Sequence, residues 1–248
     1  MSEIFRAGQE FTPHWNNPRP FMEGGLETIS DPEFVLEQLE NLSNQLRIPS
    51  LVQPPVIYGG WVRDKLLGVQ PEDMDVRVSC LPLATKFIQS LKESERMIML
   101  ETRSTVDTPG YSLVYQCFSM CIKTPLTEEL RIDISYSLAS SLREESLNHC
   151  DFTANNLQVN RSGTISTRIK AWQIGLEISE ADWLARCIRD CMQKKLVWMI
   201  PDRFSKRMGE TEESRSEFME KMRLRLQKMK SKGFKLTGEH LTSFRLVP

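Results

Sequence analysis

No stretch of this 248-residue sequence stays apolar for the roughly 18 residues a membrane-spanning helix needs, so no membrane association is expected. The opening residues MSEIFRAGQEF have neither the apolar core of a secretory signal nor the Arg-rich, acid-free pattern of a transit peptide. A cytoplasmic protein, or the mature form of an organellar one, is expected. Cysteine is sparse: six thiols cannot staple a chain of this size, and they are read as reduced. Histidine is scarcer still, and His14, His149 and His240 share no metal-ligand or catalytic spacing. An excess of positive charge is missing too. Lys and Arg total 32 against 33 Asp and Glu, so any nucleic-acid footprint must be local. No internal repeat is visible.

What is present supports a globular fold, since 40% apolar residues in 248 can bury a core as one elaborate domain or two small ones. Residues 1–30, with Pro13, Pro18, Pro20 and Gly24-Gly25, read as an extended arm. Asp31 reads as an N-cap before Pro32, and Phe34, Val35, Leu39, Leu42 and Leu46 recur at helical spacing. A short strand at 56–58, a glycine pair, a helix stopping at Gly68 and a half-buried strand through Met74, Val76 and Val78 come next. A helix over 83–91 and strands near 97–101, 111–122, 130–135 and 156–159 complete a mixed α/β (α+β) head spanning 31–175. From Ser179 the pattern turns helical through Trp183, Leu184, Ile188, Met192 and Leu196, so 176–248 reads as a short C-terminal helical region. Its last helix, capped by Thr211 and closed by Gly233, carries the stripe Phe218, Met222, Leu226, Met229. That stripe needs a partner surface, most simply the rest of the chain and otherwise a protein partner.

The chemistry concentrates in Y58-G-G-W-V-R-D-K-L-L-G68 and D73-M-D75. Glycines at a strand-to-helix turn let the backbone approach an anion, although Gly59-Gly60 alone is equally well a tight turn. Asp73 and Asp75, two apart in a strand, leave one face together, which is unfavourable unless a cation neutralises them. Mg2+ is the natural choice, because it takes hard oxygen ligands and shares them with substrate phosphates.

The G-G-x-V-R-D-x-L-L-G block with D-x-D after it resembles the signature of the tRNA nucleotidyltransferase and bacterial poly(A) polymerase family, within the DNA polymerase β superfamily. The resemblance implies a polymerase β-like nucleotidyltransferase head in which Gly59 and Gly60 contact a triphosphate. It further implies that Arg63 and Asp64 support that region and that Asp73 and Asp75 hold Mg2+. Asp133, in L130-R-I-D133, is the candidate third metal carboxylate. Asp151-Phe-Thr-Ala-Asn155-Asn-Leu157 is similar to the family's R-R-D-F-T-x-N-A-L block, which assigns Asp151 and Asn155 to the nucleotide. The family's E-D-x-x-R motif has a counterpart in Asp182 and Arg186, which would face the incoming base, but at i, i+4 rather than i, i+3. Where the family has two arginines before D-F-T, this chain has His149 and Cys150, leaving that charge to His149 or Arg143. The resemblance covers roughly 55–190, and the residues beyond 190 are too few to build the neck, body and tail that hold tRNA, so a self-sufficient CCA-adding enzyme is not expected.

The expected function is Mg2+-dependent addition of nucleotides from ATP or CTP to the 3′ end of tRNA or another RNA. The rival is a nucleotidyltransferase-like subunit of reduced activity that binds RNA or scaffolds an assembly. Transfer to a protein or small molecule is a third use of the same head. Lys221, Arg223, Arg225, Lys228, Lys230 and Lys232 are candidate RNA contacts, though a basic helix end equally serves the helix dipole and solvent. Cys117-x3-Cys121 and Cys187-x3-Cys191 have a spacing a zinc site could use; small buried core residues use it more often.

Overall fold

The computed structural model describes residues 30–48, 54–104, 115–137, 150–199 and 212–240. The expected N-terminal arm, the strand start at 111–114, Arg143, His149 and Thr211 lie outside the described residues. A first helix, α1 (Asp31–Gln45), leads to β1 (Val56–Tyr58), α2 (Gly60–Leu66), β2 (Met74–Arg77), α3 (Leu81–Glu93), β3 (Met97–Ser104), β4 (Tyr115–Ile122) and β5 (Leu130–Ser137). Then come β6 (Leu157–Val159), β7 (Ile165–Thr167), α4 (Glu180–Met192), β8 (Lys195–Trp198), α5 (Glu212–Ser231) and β9 (Lys235–His240). Short 3-10 turns at Thr153–Asn155 and Ala171–Ile174 join them.

Seven strands form one mixed sheet in the order β3-β4-β5-β2-β1-β6-β7, with β2 and β5 parallel and the other neighbours antiparallel. Side chains of directly paired residues share a face, and the face alternates along each strand. Met74 and Val76 of β2, Ile132 and Ile134 of β5, and Phe118 and Met120 of β4 are all buried on one face. α3 lies against β5 and β3, α1 lies against α3, and their apolar stripes join that core. The opposite face carries Asp75, Asp133 and Ser119, half-buried and polar. This alternation leaves one side of the sheet available for chemistry.

Several expectations need correction. Asp31 is inside α1 rather than capping it; Ser30 is the N-cap, without a side-chain bond, and Asp31 accepts hydrogen bonds from the Thr124 and Thr127 hydroxyls. Asp73 lies just before β2, not within it. The C-terminal region is not purely helical: β8 and β9 pair in parallel, and α5 is the crossover between them. Met222, Met229 and Phe234 share one core with the head and Leu226 packs against it, so this part of α5's apolar stripe finds its partner within the chain; the side chain of Phe218 lies outside the described residues. Among the described residues no helix is long and apolar enough to cross a membrane.

Candidate active site

The strand-to-helix turn works because its first residue is glycine. Gly59 has φ 67° and ψ −124°, a mirror-image extended conformation that side chains rarely adopt, and a Cβ placed there would stand 3.5 Å from Asp75 Oδ2. The bend therefore faces the carboxylate. Gly59→Ala is expected to cost on the order of 1–3 kcal/mol of stability through backbone strain. It would also set a methyl against the carboxylate, lowering triphosphate affinity more than stability alone explains; unfolding curves alongside nucleotide titration separate the two effects.

Register brings the third carboxylate in. Asp75 pairs with Asp133 across the parallel β2–β5 ladder and with Tyr58 across β1–β2, while Asp133 pairs with Ser119. Ser119, Asp133, Asp75 and Tyr58 thus form one row on the open face. Burial pushes the Asp75 carboxyl up to about 7, helped by the negative charges of Asp73 and Asp133 and opposed by Arg168 and Lys228. A carboxyl kept from ionising by burial, with two other acids adding to the effect, would gain from a cation. Beside Asp133, Ser119 Oγ is buried without a hydrogen-bond partner among the described residues.

These groups fit a hard divalent cation in donor type, in electrostatic need and in the unpaired hydroxyl next to Asp133. Among the described residues, no three His, Cys, Asp or Glu side chains by themselves make a metal-holding cluster. Substrate phosphates and water would have to complete the shell, as is usual for Mg2+. The four cysteines of the paired spacings divide between β4 and α4, and burial keeps Cys191, pushed up to about 12, and Cys187 neutral. They are core.

Because the Asp75 pKa is raised on folding, the folded protein holds a proton that the unfolded chain releases above about pH 4. Stability therefore falls as pH rises from about 4 to about 7, and the full penalty stands above that. Asp75→Asn is expected to stabilise the metal-free protein by about 2–4 kcal/mol at pH 8 and negligibly at pH 4. Melting curves in chelator across that range check it, and a pH-independent difference would show that desolvation of Asp75 is not the cause.

Under the bend lies a buried ion-pair lattice. Arg63, 5% exposed, donates through Nε to Asp64 Oδ1 at 2.7 Å and through Nη1 to Asn155 Oδ1 at 2.8 Å and Met229 Sδ at 3.2 Å. Its guanidinium also faces the Phe234 ring and curls toward Gly60. Asp64 accepts from Lys232 at 2.7 Å. Burial would raise its pKa, but the hydrogen bonds and charges of Arg63 and Lys232 outweigh that and hold it below the usual range.

α5 meets the head through its cations. Arg225 pairs with the buried Asp151, Lys228 with Glu72 at 3.4 Å, and Lys232 with Asp64. Of the expected RNA contacts, then, these three face carboxylates of the head; Arg223 pairs with Glu220 on its own helix, and Lys230 is exposed. Asp182 lies apart from these groups. It is exposed and takes part in capping α4, accepting from Ser179 Oγ at 2.6 Å while its own N–H donates to that oxygen, and it is not brought to the carboxylate row. Arg186 is half-buried one turn on, beside Cys187. Asp151 and Asn155 sit where their carboxylate and amide are engaged by Arg225 and Arg63.

Sequence reading missed Arg168. It comes directly after β7, is 8% exposed, and stacks 4.1 Å from the centroid of the Tyr58 ring. The local signal was no more than a basic residue ending an alternating strand.

Solved structures with a similar arrangement include the Thermotoga maritima CCA-adding enzyme complexed with tRNA, at 20% identity and TM-score 0.42 over 68% of this chain and 33% of that one. A tRNA-processing enzyme in apo form aligns at 16% identity and TM-score 0.41, covering 71% and 38% respectively. The Bacillus stearothermophilus CCA-adding enzyme in complex with CTP aligns at 17% identity and TM-score 0.37, covering 67% and 33%. This chain spans between about 33% and 38% of the length of those three proteins. Comparison with curated proteins finds no match. The family model of the poly(A) polymerase head domain matches residues 56–170, the segment holding Gly59, Asp75, Asp133 and Arg168. Residues 56–170 are thus similar to the poly(A) polymerase head domain.

Proposed function

We propose that this chain is a Mg2+-dependent RNA nucleotidyltransferase that transfers nucleotides from ATP or CTP to an RNA 3′ end. The observation that carries the reading is the position of the glycine bend facing Asp75, whose carboxylate stands in one row with Asp133. Asp73, Asp75 and Asp133 would hold the metal, which supplies charge neutralisation at the attacking and leaving oxygens. The bend at Gly59 and Gly60 seats the triphosphate against that row. The acceptor's 3′-oxygen bonds to the α-phosphorus, the bond from that phosphorus to the β-bridging oxygen breaks, the hydroxyl proton passes to the carboxylate row, and pyrophosphate leaves. The protein's share of the catalysis is positioning and electrostatics, as in other phosphoryl transfers.

The reduced-activity reading keeps one specific support: Cys150, next to the D-F-T segment, is a buried neutral thiol, pushed up to about 12, that offers a phosphate nothing. One assay decides. Purified protein receives Mg2+, each labelled triphosphate and RNA with free 3′ ends, beside an Asp73→Ala, Asp75→Ala double variant. Extension that vanishes in the variant supports transfer; RNA retention without extension in either protein supports a binding subunit.

A further inference from the structure

α5 lays Arg225, Lys228 and Lys232 on the head at i, i+3 and i+7, so the three share one helix face. The outer two are committed. Arg225 pairs with Asp151 and Lys232 with Asp64, carboxylates that are 5% and 4% exposed. Lys228, between them, is held differently: among the described residues its ion-pair partner is Glu72 at 3.4 Å, and the two side chains are 56% and 67% exposed. A pair so open to water contributes little, and an ammonium has three donors, which leaves some for a further acceptor. Glu72 keeps a cation when Lys228 moves, because Lys232 lies 3.9 Å from its other oxygen. The place of Lys228 is set from two sides. Its neighbour Met229 is buried, with Sδ accepting from Arg63 Nη1 at 3.2 Å, and the Arg63 guanidinium in turn curls toward Gly60. Glu72 immediately precedes Asp73, and the charge of Lys228 is felt at Asp75. A long, exposed cation therefore stands where the glycine bend and the acidic row come together.

We propose that Lys228 gives up Glu72 and grips the polyphosphate of a nucleoside triphosphate seated at Gly59 and Gly60. The inference rests on the nucleotidyltransferase reading above. It gives the exposed pair a purpose: Glu72 parks the ammonium beside the row until a polyphosphate, with its greater charge, displaces the carboxylate.

The test is titration calorimetry on the full chain with Mg-ATP, Mg-CTP, Mg-tripolyphosphate and a single-stranded oligoadenylate. The proteins are the natural one, Lys228→Met, Glu72→Gln, the double variant, and Lys92→Met, which removes an exposed cation from α3 on the other side of the sheet. Lys228→Met is expected to weaken ATP, CTP and tripolyphosphate binding about 10-fold, the loss of one charge-assisted hydrogen bond, while Lys92→Met leaves all three unchanged. Glu72→Gln is expected to tighten the same three about threefold, by releasing the ammonium, and to do nothing once Lys228 is Met. A pair with only a structural role would weaken binding in both single variants. Tripolyphosphate bound by Lys228→Met within about twofold of the natural protein, or bound more weakly by Glu72→Gln, overturns this inference alone. So does a Lys228→Met protein that loses oligoadenylate but keeps tripolyphosphate, which assigns the ammonium to RNA backbone phosphates. A natural protein that binds none of the triphosphates overturns the nucleotidyltransferase reading along with it.

Discussion

Asp75→Ala is expected to lower nucleotide incorporation at least about 1,000-fold while the protein stays folded. Electrostatic stabilisation through metal-held carboxylates is worth several kcal/mol in the transition state, and about 4 kcal/mol corresponds to that factor. The choice of Asp75 comes from its position. Among the described residues it is the one that faces the glycine bend, pairs with Asp133 and feels the charges of Asp73, Asp133, Arg168 and Lys228. Because its charge is a burden to the fold in the absence of a cation, its removal does not unfold the protein, and lost activity cannot be blamed on lost structure. Gel-resolved extension of labelled RNA under saturating triphosphate measures it. Activity within tenfold of the natural protein would remove Asp75 from the mechanism.

Arg63→Met should be the most damaging single change to stability, at about 3–5 kcal/mol. Arg63 is the hub on which Asp64, Asn155 and Met229 converge, and its guanidinium also faces Phe234. Its loss leaves Asp64, 3% exposed, to Lys232 alone among the described cations paired with it, and strips a donor from Asn155. In a chain of this length such a loss lowers the melting temperature by about 10 °C or more. Arg63→Lys is expected to rescue little, since an ammonium cannot present a planar fork to two acceptors held in different directions. Calorimetry of the three proteins checks this, and a melting shift below about 3 °C would mean the lattice is not what fixes α2.

The chain shows its central supersecondary unit openly and hides its long-range pairs. β1, the glycine bend, α2 and β2 are legible because each is set by neighbours in sequence: positive φ at Gly59 and Gly68, and the alternation of Met74 and Val76 with Asp75 and Arg77. Asp133 was legible as a motif, but its place beside Asp75 is a matter of register between strands that are not consecutive in the chain. The basic run in α5 looked like a surface for RNA because periodicity reports which residues share a helix face, not what that face meets. Its partners Asp64, Glu72 and Asp151 lie far upstream. Asp182 carries a second signal that the resemblance overshadowed: Ser179-x-x-Asp182 at the head of an apolar helix is a capping pattern. β8 and β9 escaped notice because each is short and its ladder partner lies across a long helix in the chain.

The lattice beneath the glycine bend also sets an order of events during synthesis. Tyr58 must wait for Gln158 to close its side of the sheet, and Arg63 and Asp64 meet Met229 and Lys232 only when those residues have been translated. With its defining contacts so distant along the chain, the domain has the high contact order that makes folding slow. A nascent chain still tethered at residue 200 would leave Asp64 without Lys232 and the apolar floor of α2 without Met229, the kind of exposed intermediate that chaperones hold.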